Sequence, residues 1–377
     1  MQFRDLKTQY QVLKKDIDQT MLDVAASSAY INGPQVAQFE KELAEYVGVK
    51  HCITCGNGTD ALTIAMMAWD IGTGDAVFVP DFTFFSSGEI VSHAGGTPVF
   101  VDVDEDTFNI SAESLEKAII KVKEEGKLTP RAVVAVDLFG LPADFEAVRK
   151  IADKYGIYVL EDAAQGFGGD INGKKACSFG DISTTSFFPA KPLGCYGDGG
   201  AVFTDNDEWA ELIKSIRVHG KGSMKYDNVR IGLNSRLDTV QAAILSVKLK
   251  AFDKYELTDV NKVADKYTES LGDIVKTPVI PEGFYSSWAQ YTIQLESREI
   301  RDGLQAYLKE KDIPSMVYYP KPMHQQLAFG ENPEYVDGEI TERLSDTVLS
   351  LPMHPYLTDE DINKVVNTVK EFFKNIN

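Results

Sequence analysis

The chain has 377 residues, 44% hydrophobic and 25% charged, an ordinary balance for a soluble globular protein long enough to bury a core without disulfide staples. A formal net charge of −19 repels phosphate backbones and anionic bilayers, so nucleic acid and membrane are poor partners, and an anionic ligand needs a local positive field. Met1 to Tyr10 holds no apolar signal core and no window of about 18 consecutive apolar residues occurs, so a cytoplasmic protein without a membrane span is expected.

Behind Gly33-Pro34, apolar residues at helical spacing predict a helix over Gln35–Val47. His51–Cys55 reads as a short buried strand. Its Cys52-x-x-Cys55 pattern matches a redox dithiol or half a zinc site, but Cys177 and Cys195 supply no second such pair. Cysteine in a buried strand is also simply a small hydrophobe, so no metal is expected. A helix over Thr59–Trp69, a strand over Ala76–Val79 stopping at Pro80, and a strand over Thr97–Val101 follow. Ser111 is placed to cap an amphipathic helix over Ser111–Lys123. Ala132–Val136, Ala143–Tyr155 and Tyr158–Leu160 predict strand, helix, strand, and Ile182–Phe187 and Ala201–Thr204 two further strands. The strands are short and nearly all apolar, the mark of burial on both faces of a mostly parallel sheet. Beyond residue 235 a long helical stretch runs from Leu237 to Ser270, then a loop over Gly283–Ser287, an alternating strand over Tyr291–Leu295, and helices over Arg298–Lys311 and Asp359–Phe373. The expected fold class is α/β: a mostly parallel central sheet flanked by helices in a large domain, 1–250, plus a smaller C-terminal α/β domain, 251–377.

Ligands of such folds bind beyond the carboxyl ends of the strands, and four features fall there. Gly56-Asn57-Gly58-Thr59 joins a strand to a helix, and its small residues let backbone amides approach a phosphate, although any tight turn can carry such glycines. Thr83-Phe84 follows Pro80, where an aromatic side chain either stacks on a planar ring or simply packs. Glu161-Asp162-Ala163-Ala164-Gln165 ends a buried strand in carboxylates, which need a cationic partner. A protonated pyridine nitrogen is such a partner, and capping a helix is the plainer role for Asp162. Ser186-Phe-Phe-Pro-Ala-Lys191-Pro-Leu-Gly194, followed by Gly197-Asp-Gly-Gly200, sets a lysine on a glycine-flanked turn. Schiff-base chemistry needs an amine held rigidly and partly desolvated, whereas a hairpin lysine is the plainer alternative. Phosphate turn, ring stacker, pyridine partner and lysine, in chain order, form the set that pyridoxal 5'-phosphate (PLP) requires.

These residues resemble the DegT/DnrJ/EryC1/StrS family of sugar aminotransferases, which are fold-type I PLP enzymes. The resemblance covers essentially the whole chain. It runs from Phe3-Arg-Asp-Leu6 and Tyr30-Ile-Asn-Gly-Pro34 through Asn57-Gly-Thr-Asp-Ala-Leu62, Glu161 to Gln165 and Ser186 to Lys191. It ends in Asn234-Ser-Arg-Leu-Asp238, Gln241-Ala-Ala243, Tyr319-Pro-Lys-Pro322 and Leu351-Pro-Met-His354. It implies that Lys191 carries the cofactor as a Schiff base and shuttles the proton, that Asp162 pairs with the pyridine nitrogen, and that Gln165 contacts the 3'-oxygen. Phe84 then stacks on the ring, and Asn57, Gly58, Thr59 and Ser186 hold the phosphate. Asn234 resembles the asparagine that reaches a neighbouring subunit's phosphate, implying a homodimer with shared sites. Tyr30, Asn32, Arg236, Tyr318, Tyr319 and His324 are the expected substrate contacts. Relatives with histidine in place of the lysine are dehydratases, a branch that Lys191 excludes.

The run Phe187 to Gly200 resembles enzymes that move an amino group from L-glutamate to C3 of UDP-2-acetamido-2-deoxy-3-oxo-glucuronate, in cell-surface polysaccharide precursor synthesis. Arg236 suits the carboxylate of such a sugar. A dTDP-3-keto-6-deoxyhexose as acceptor, and a non-catalytic regulator built on the same fold, are the alternatives. One departure is that Tyr318-Tyr319-Pro320 stands where relatives often have His-Tyr-Pro.

Overall fold

The computed structural model describes residues 1–376 apart from Lys225 and Asn332. At its centre is an eight-stranded sheet. Its strands are β1 (His51–Cys55), β2 (Asp75–Pro80), β3 (Thr97–Val101), β4 (Thr129–Val136), β5 (Tyr158–Asp162), β6 (Ile182–Ser186), β7 (Gly200–Thr204) and β8 (Glu334–Val336). They lie in the order β1-β7-β6-β5-β4-β2-β3-β8. β7 runs antiparallel to both its neighbours, and the remaining neighbours pair in parallel.

Alternate residues of each strand feed different cores. On β2 and β4, Val77, Val79, Ala132 and Val134 pack under the helix Gly58–Ala68. On the same strands Ala76, Phe78, Val133 and Ala135 pack under the helices Ala112–Glu125 and Phe145–Tyr155. Both faces are covered, which is why β2 and β4 read as apolar runs over Ala76–Val79 and Ala132–Val136. Ser111 caps its helix as expected, its hydroxyl accepting from the Ser114 amide at 3.3 Å.

The long helical stretch runs from Thr239 to Leu271 through a π turn at Phe252–Glu256. The expected boundary at 250/251 falls within it. Beyond it, Tyr291–Gln294 and Val348–Leu351 pair antiparallel, beside the helices Arg298–Glu310 and Asp359–Ile376. β8 then brings the chain back to the edge of the large sheet, parallel to β3.

The structure corrects the loop expected over Gly283–Ser287: Phe284–Tyr285 pairs antiparallel with Asp170–Ile171. Two residues carry no periodicity, and their pairing partner lies over a hundred positions away. The helix Leu6–Ser27 also escaped the sequence reading, because it buries only Gln9, Ile17 and Val24 and so shows little apolar stripe. All four cysteines are buried and outside any disulfide, and burial pushes the Cys55 thiol up to about 12. Among the described residues, no helix is long and apolar enough to cross a membrane, and no group of side chains forms a metal cluster.

Candidate active site

The ends of β1, β5 and β6 and the segment after β2 surround a cavity of about 480 Å³. One part of it is a cradle of small residues. The helix Gly58–Ala68 begins there, capped by Asn57, whose side-chain oxygen accepts from the Asp60 amide at 2.7 Å. The first amides of a helix have no intrahelical acceptor, and Gly58, Thr59 and Ser186 line the cavity together. Backbone approach is close. A Cβ on Gly58 would stand 2.7 Å from the Ser186 Cβ, and one on Gly200 would stand 2.4 Å from the Asn57 carbonyl oxygen. Larger residues at either position would push the cradle apart.

The other end holds Asp162 and Lys191. Asp162 is buried at the last position of β5. Its Oδ2 accepts from the Ser87 hydroxyl at 2.8 Å and its Oδ1 from the Ala164 amide at 3.2 Å. Burial raises its carboxyl above the usual range, against the pull of Ser87 and of Lys191. No helix starts at Asp162, so it caps none; the residues that follow form turns. Lys191 lies in a turn braced by its own amide on the Phe188 carbonyl, 2.9 Å, and by the Cys195 amide on the Phe187 carbonyl, 2.8 Å. Burial pushes its amine below the ordinary lysine value, Asp162 opposes that shift, and Arg4 adds to it.

Between the two ends, Phe84 exposes 53% of its surface and lies 6.3 Å from the Tyr319 ring. The Gln165 amide is fixed in orientation: its oxygen accepts from the Phe139 amide at 2.7 Å and its nitrogen donates to the Tyr319 hydroxyl at 2.9 Å. Tyr318 completes this wall. A planar ring bearing a phosphate and an aldehyde fits these residues. The cradle matches the phosphate, the amine the aldehyde, the carboxylate a ring nitrogen, and Phe84 a ring face.

Of the residues singled out from sequence, Asn57, Gly58, Thr59, Phe84, Asp162, Gln165, Ser186, Lys191, Tyr318 and Tyr319 meet in this cavity. Tyr30, Asn32, Asn234 and Arg236 do not line it. They gather in a separate patch, where Ile31 bridges Asp238, the Thr239 amide donates to the Tyr30 carbonyl at 3.0 Å, and Arg236 donates to the Asn234 side chain. His324 is also elsewhere. Its Nδ1 lies 2.5 Å from Asp81, its Nε2 3.3 Å from Glu342, and its ring stacks on Tyr335 at 4.4 Å. Both its ring nitrogens are engaged by carboxylates. Ser87 was missed. It is a small polar residue on a short helix, and only its contact with Asp162, 75 positions away, gives it meaning.

Known proteins match this chain over nearly its whole length. The DegT/DnrJ/EryC1/StrS aminotransferase family matches residues 11–370. A UDP-2-acetamido-2-deoxy-3-oxo-D-glucuronate aminotransferase of Pseudomonas aeruginosa is 44% identical over 365 residues, 96% of this chain and 97% of that one. A pleiotropic regulatory protein of Geobacillus stearothermophilus is 43% identical over 376 residues, 98% of each chain. The crystal structure of S. venezuelae DesV in complex with a ketimine intermediate is 35% identical, with a TM-score of 0.92 over 99% of this chain and 98% of that one. A match that runs through both ends of the cavity and nearly the whole length makes this chain a member of the DegT/DnrJ/EryC1/StrS family of fold-type I, PLP-dependent sugar aminotransferases.

Proposed function

We propose that the protein transfers the amino group of L-glutamate to C3 of UDP-2-acetamido-2-deoxy-3-oxo-glucuronate, a step toward a cell-surface polysaccharide precursor. The observation that carries the reading is the convergence of Lys191 and Asp162 on one cavity with a phosphate cradle at its far end. The choice of sugar rests on the likeness to the P. aeruginosa enzyme. When bound, PLP supplies the electron sink.

The residues divide the work. The first amides of the helix Gly58–Ala68, with Ser186, hold the phosphate, and Asn57 keeps that helix start ordered. Asp162, oriented by Ser87 and the Ala164 amide, holds a proton on the pyridine nitrogen by opposite charge. Phe84 covers a face of the ring. Gln165 has a second amide hydrogen to offer the 3'-oxygen, since one already serves Tyr319. The lowered Lys191 amine is more often neutral near pH 7, the form that takes the proton from the donor's Cα.

Asn234, Arg236, Tyr30 and Asn32 serve the cavity of a second copy in a homodimer. They lie outside this chain's own cavity, and the segment leading to them exposes Met224, Val229 and Ile231, an apolar surface suited to burial against a partner. Arg236 presents a planar guanidinium, which suits the C6 carboxylate of the sugar. Four buried cysteines outside any disulfide fit a reducing compartment, the cytoplasm.

The test is a product assay with L-glutamate and a panel of acceptors: the UDP-linked 3-oxo-uronate, its 6-hydroxyl counterpart and a dTDP-3-keto-6-deoxyhexose. The uronate should turn over fastest, and a preference for the deoxyhexose would overturn the choice of sugar. The likeness to a pleiotropic regulatory protein favours a second reading, a non-catalytic regulator on the same fold. It predicts no turnover of any acceptor and a cofactor absorbance unchanged by glutamate.

A further inference from the structure

Beneath the turn that carries Lys191 lies a charged network that none of the steps above uses. The Arg4 guanidinium donates to the carbonyl oxygens of Lys191, at 3.0 Å, and Pro192, at 3.3 Å. The Lys248 ammonium, buried on the helix Thr239–Ala251, donates to the Gly194 carbonyl and lies 5.4 Å from the Tyr196 ring centre. The balancing anion is Glu256, also buried, at the end of the π turn Phe252–Glu256. It accepts from Gln9 at 2.9 and 3.2 Å and from the Tyr356 hydroxyl. Segments from the N-terminus, the long helix and the C-terminal region thus converge under one four-residue stretch, 191–194.

Such a network is costly. Burial lowers Arg4 to about 10 and Lys248 to about 8, with Glu256 opposing both shifts. Apolar residues would fill the same space more cheaply. What apolar residues would not do is bond the turn. The stretch 191–194 belongs to neither helix nor strand, so its carbonyls need donors from elsewhere. The π turn, which locally shifts the register of the long helix, brings Glu256 into the network.

We propose that Arg4 and Lys248 are positioning residues that grip the carbonyls of Lys191, Pro192 and Gly194 and so hold the Lys191 amine in the cavity opposite Asp162. The inference rests on Lys191 being the cofactor-bearing lysine. It also assigns an electrostatic effect, since the Arg4 charge adds to the burial that keeps the amine neutral. The charged and titratable groups around the network are Asp162, which faces Lys191, and Glu256, Tyr356, His354, Cys195 and Tyr196, which face Arg4 or Lys248. His354 is pushed down to about 4 by burial and by Arg4, so it adds no charge near pH 7.

The test is competitive acetylation of full-length protein across a pH series, with and without PLP, read by peptide mass spectrometry on Lys191 and on the exposed Lys250 as control. In the wild type, Lys191 should titrate below the ordinary lysine value, and PLP should protect Lys191 from acetylation but not Lys250. In Arg4→Met, loss of the cation raises the amine's proton affinity. In Lys248→Met, a loosened turn lets water reach the amine, with the same sign. The Lys191 midpoint should therefore rise by about half a unit or more in each, with Lys250 unchanged. Arg4→Lys, which keeps a charge and a donor, should restore most of the shift. Arg4 lies on the N-terminal segment outside the sheet, so Arg4→Met decides the matter alone if Lys248→Met fails to fold. A wild-type midpoint in Arg4→Met, with PLP protection intact, overturns the proposal. Failure of PLP to protect Lys191 in the wild type overturns the cofactor reading itself, and the proposal with it.

Discussion

Glu161 and Asp162 are consecutive on β5, both buried and both raised by burial, yet they belong to two different regions of the molecule. The twofold period of a strand sends them to opposite faces. Glu161 accepts from the amides of Cys177 at 2.6 Å, Phe179 at 2.7 Å and Gly180 at 3.3 Å, and from the Ser183 hydroxyl at 2.7 Å. A carboxylate has about four acceptor sites, so Glu161 is filled and ties the connection after β5 to the sheet. Among the described residues Asp162 accepts from Ser87 and Ala164 only, and it lines the cavity. Burial alone does not mark a functional carboxylate. Buried acceptor capacity left open toward a cavity does.

The largest effect expected is at the partner of that open carboxylate. Lys191→Ala should bind PLP without covalent attachment and lose turnover by on the order of 10³-fold or more. Mixed with Asn234→Ala subunits it should regain activity, seen as a mixture faster than either variant, because one site of each hybrid dimer is intact. Additive rates alone would break the shared-site reading.

The comparison itself is sharpened by a pair of amides. Asp162→Asn should fold normally and lose on the order of 10²-fold or more in kcat. Glu161→Gln should do the reverse. It removes one of the two oxygens that accept from Cys177, Phe179, Gly180 and Ser183, costing about 2–4 kcal/mol in chemical denaturation, while the folded fraction turns over within a few-fold of wild type. A Glu161→Gln enzyme of full stability and collapsed kcat would erase the distinction. Ser87→Ala, which removes one of two bonds orienting Asp162, should cost about tenfold in kcat. A rate unchanged by the substitution would leave Ser87 a packing residue.

The smallest effect is thermal and appears without cofactor. The folded Asp162 carboxyl lies above its unfolded value because it is buried. Its charged form therefore costs stability as pH rises through the folded value, and costs nothing below the unfolded value of about 4, where it is neutral in both states. Cofactor-free Asp162→Asn should melt above cofactor-free wild type at neutral pH, and the gap should close on acidification. A gap of opposite sign would mean that Asp162 is held by fixed charge within the chain.

Most of the large sheet was legible because its signals are local. β1 to β5 and β7 are short, largely apolar runs ended by glycine, proline or carboxylates, and the helices Gly58–Ala68, Ala112–Glu125 and Phe145–Tyr155 between them carry apolar stripes or caps such as Ser111. The helix Leu6–Ser27 and the edge strand β8 were not, since the first buries few residues and the second has three, made a strand only by β3 beside it. The same line divides the site. Lys191, Asp162, Gly58 and Ser186 stand in motifs contiguous in sequence. His324 has the same chemistry as many ligand-binding histidines, yet Asp81 and Glu342, brought from distant segments, occupy both its nitrogens.

The sequence by itself determined which residues could do the chemistry, because strand ends, glycine turns and residue types are properties of a few neighbouring positions. Which of them share a cavity, which carboxylate keeps open capacity, and which cations grip the Lys191 turn were decided only by the tertiary structure. Ser87 reaches Asp162 across 75 positions, and Arg4 reaches the Lys191 carbonyl across 187. Hydrogen bonds act over about 3 Å of space whatever the separation along the chain, so partners this remote leave no periodic mark in the sequence that calls for them.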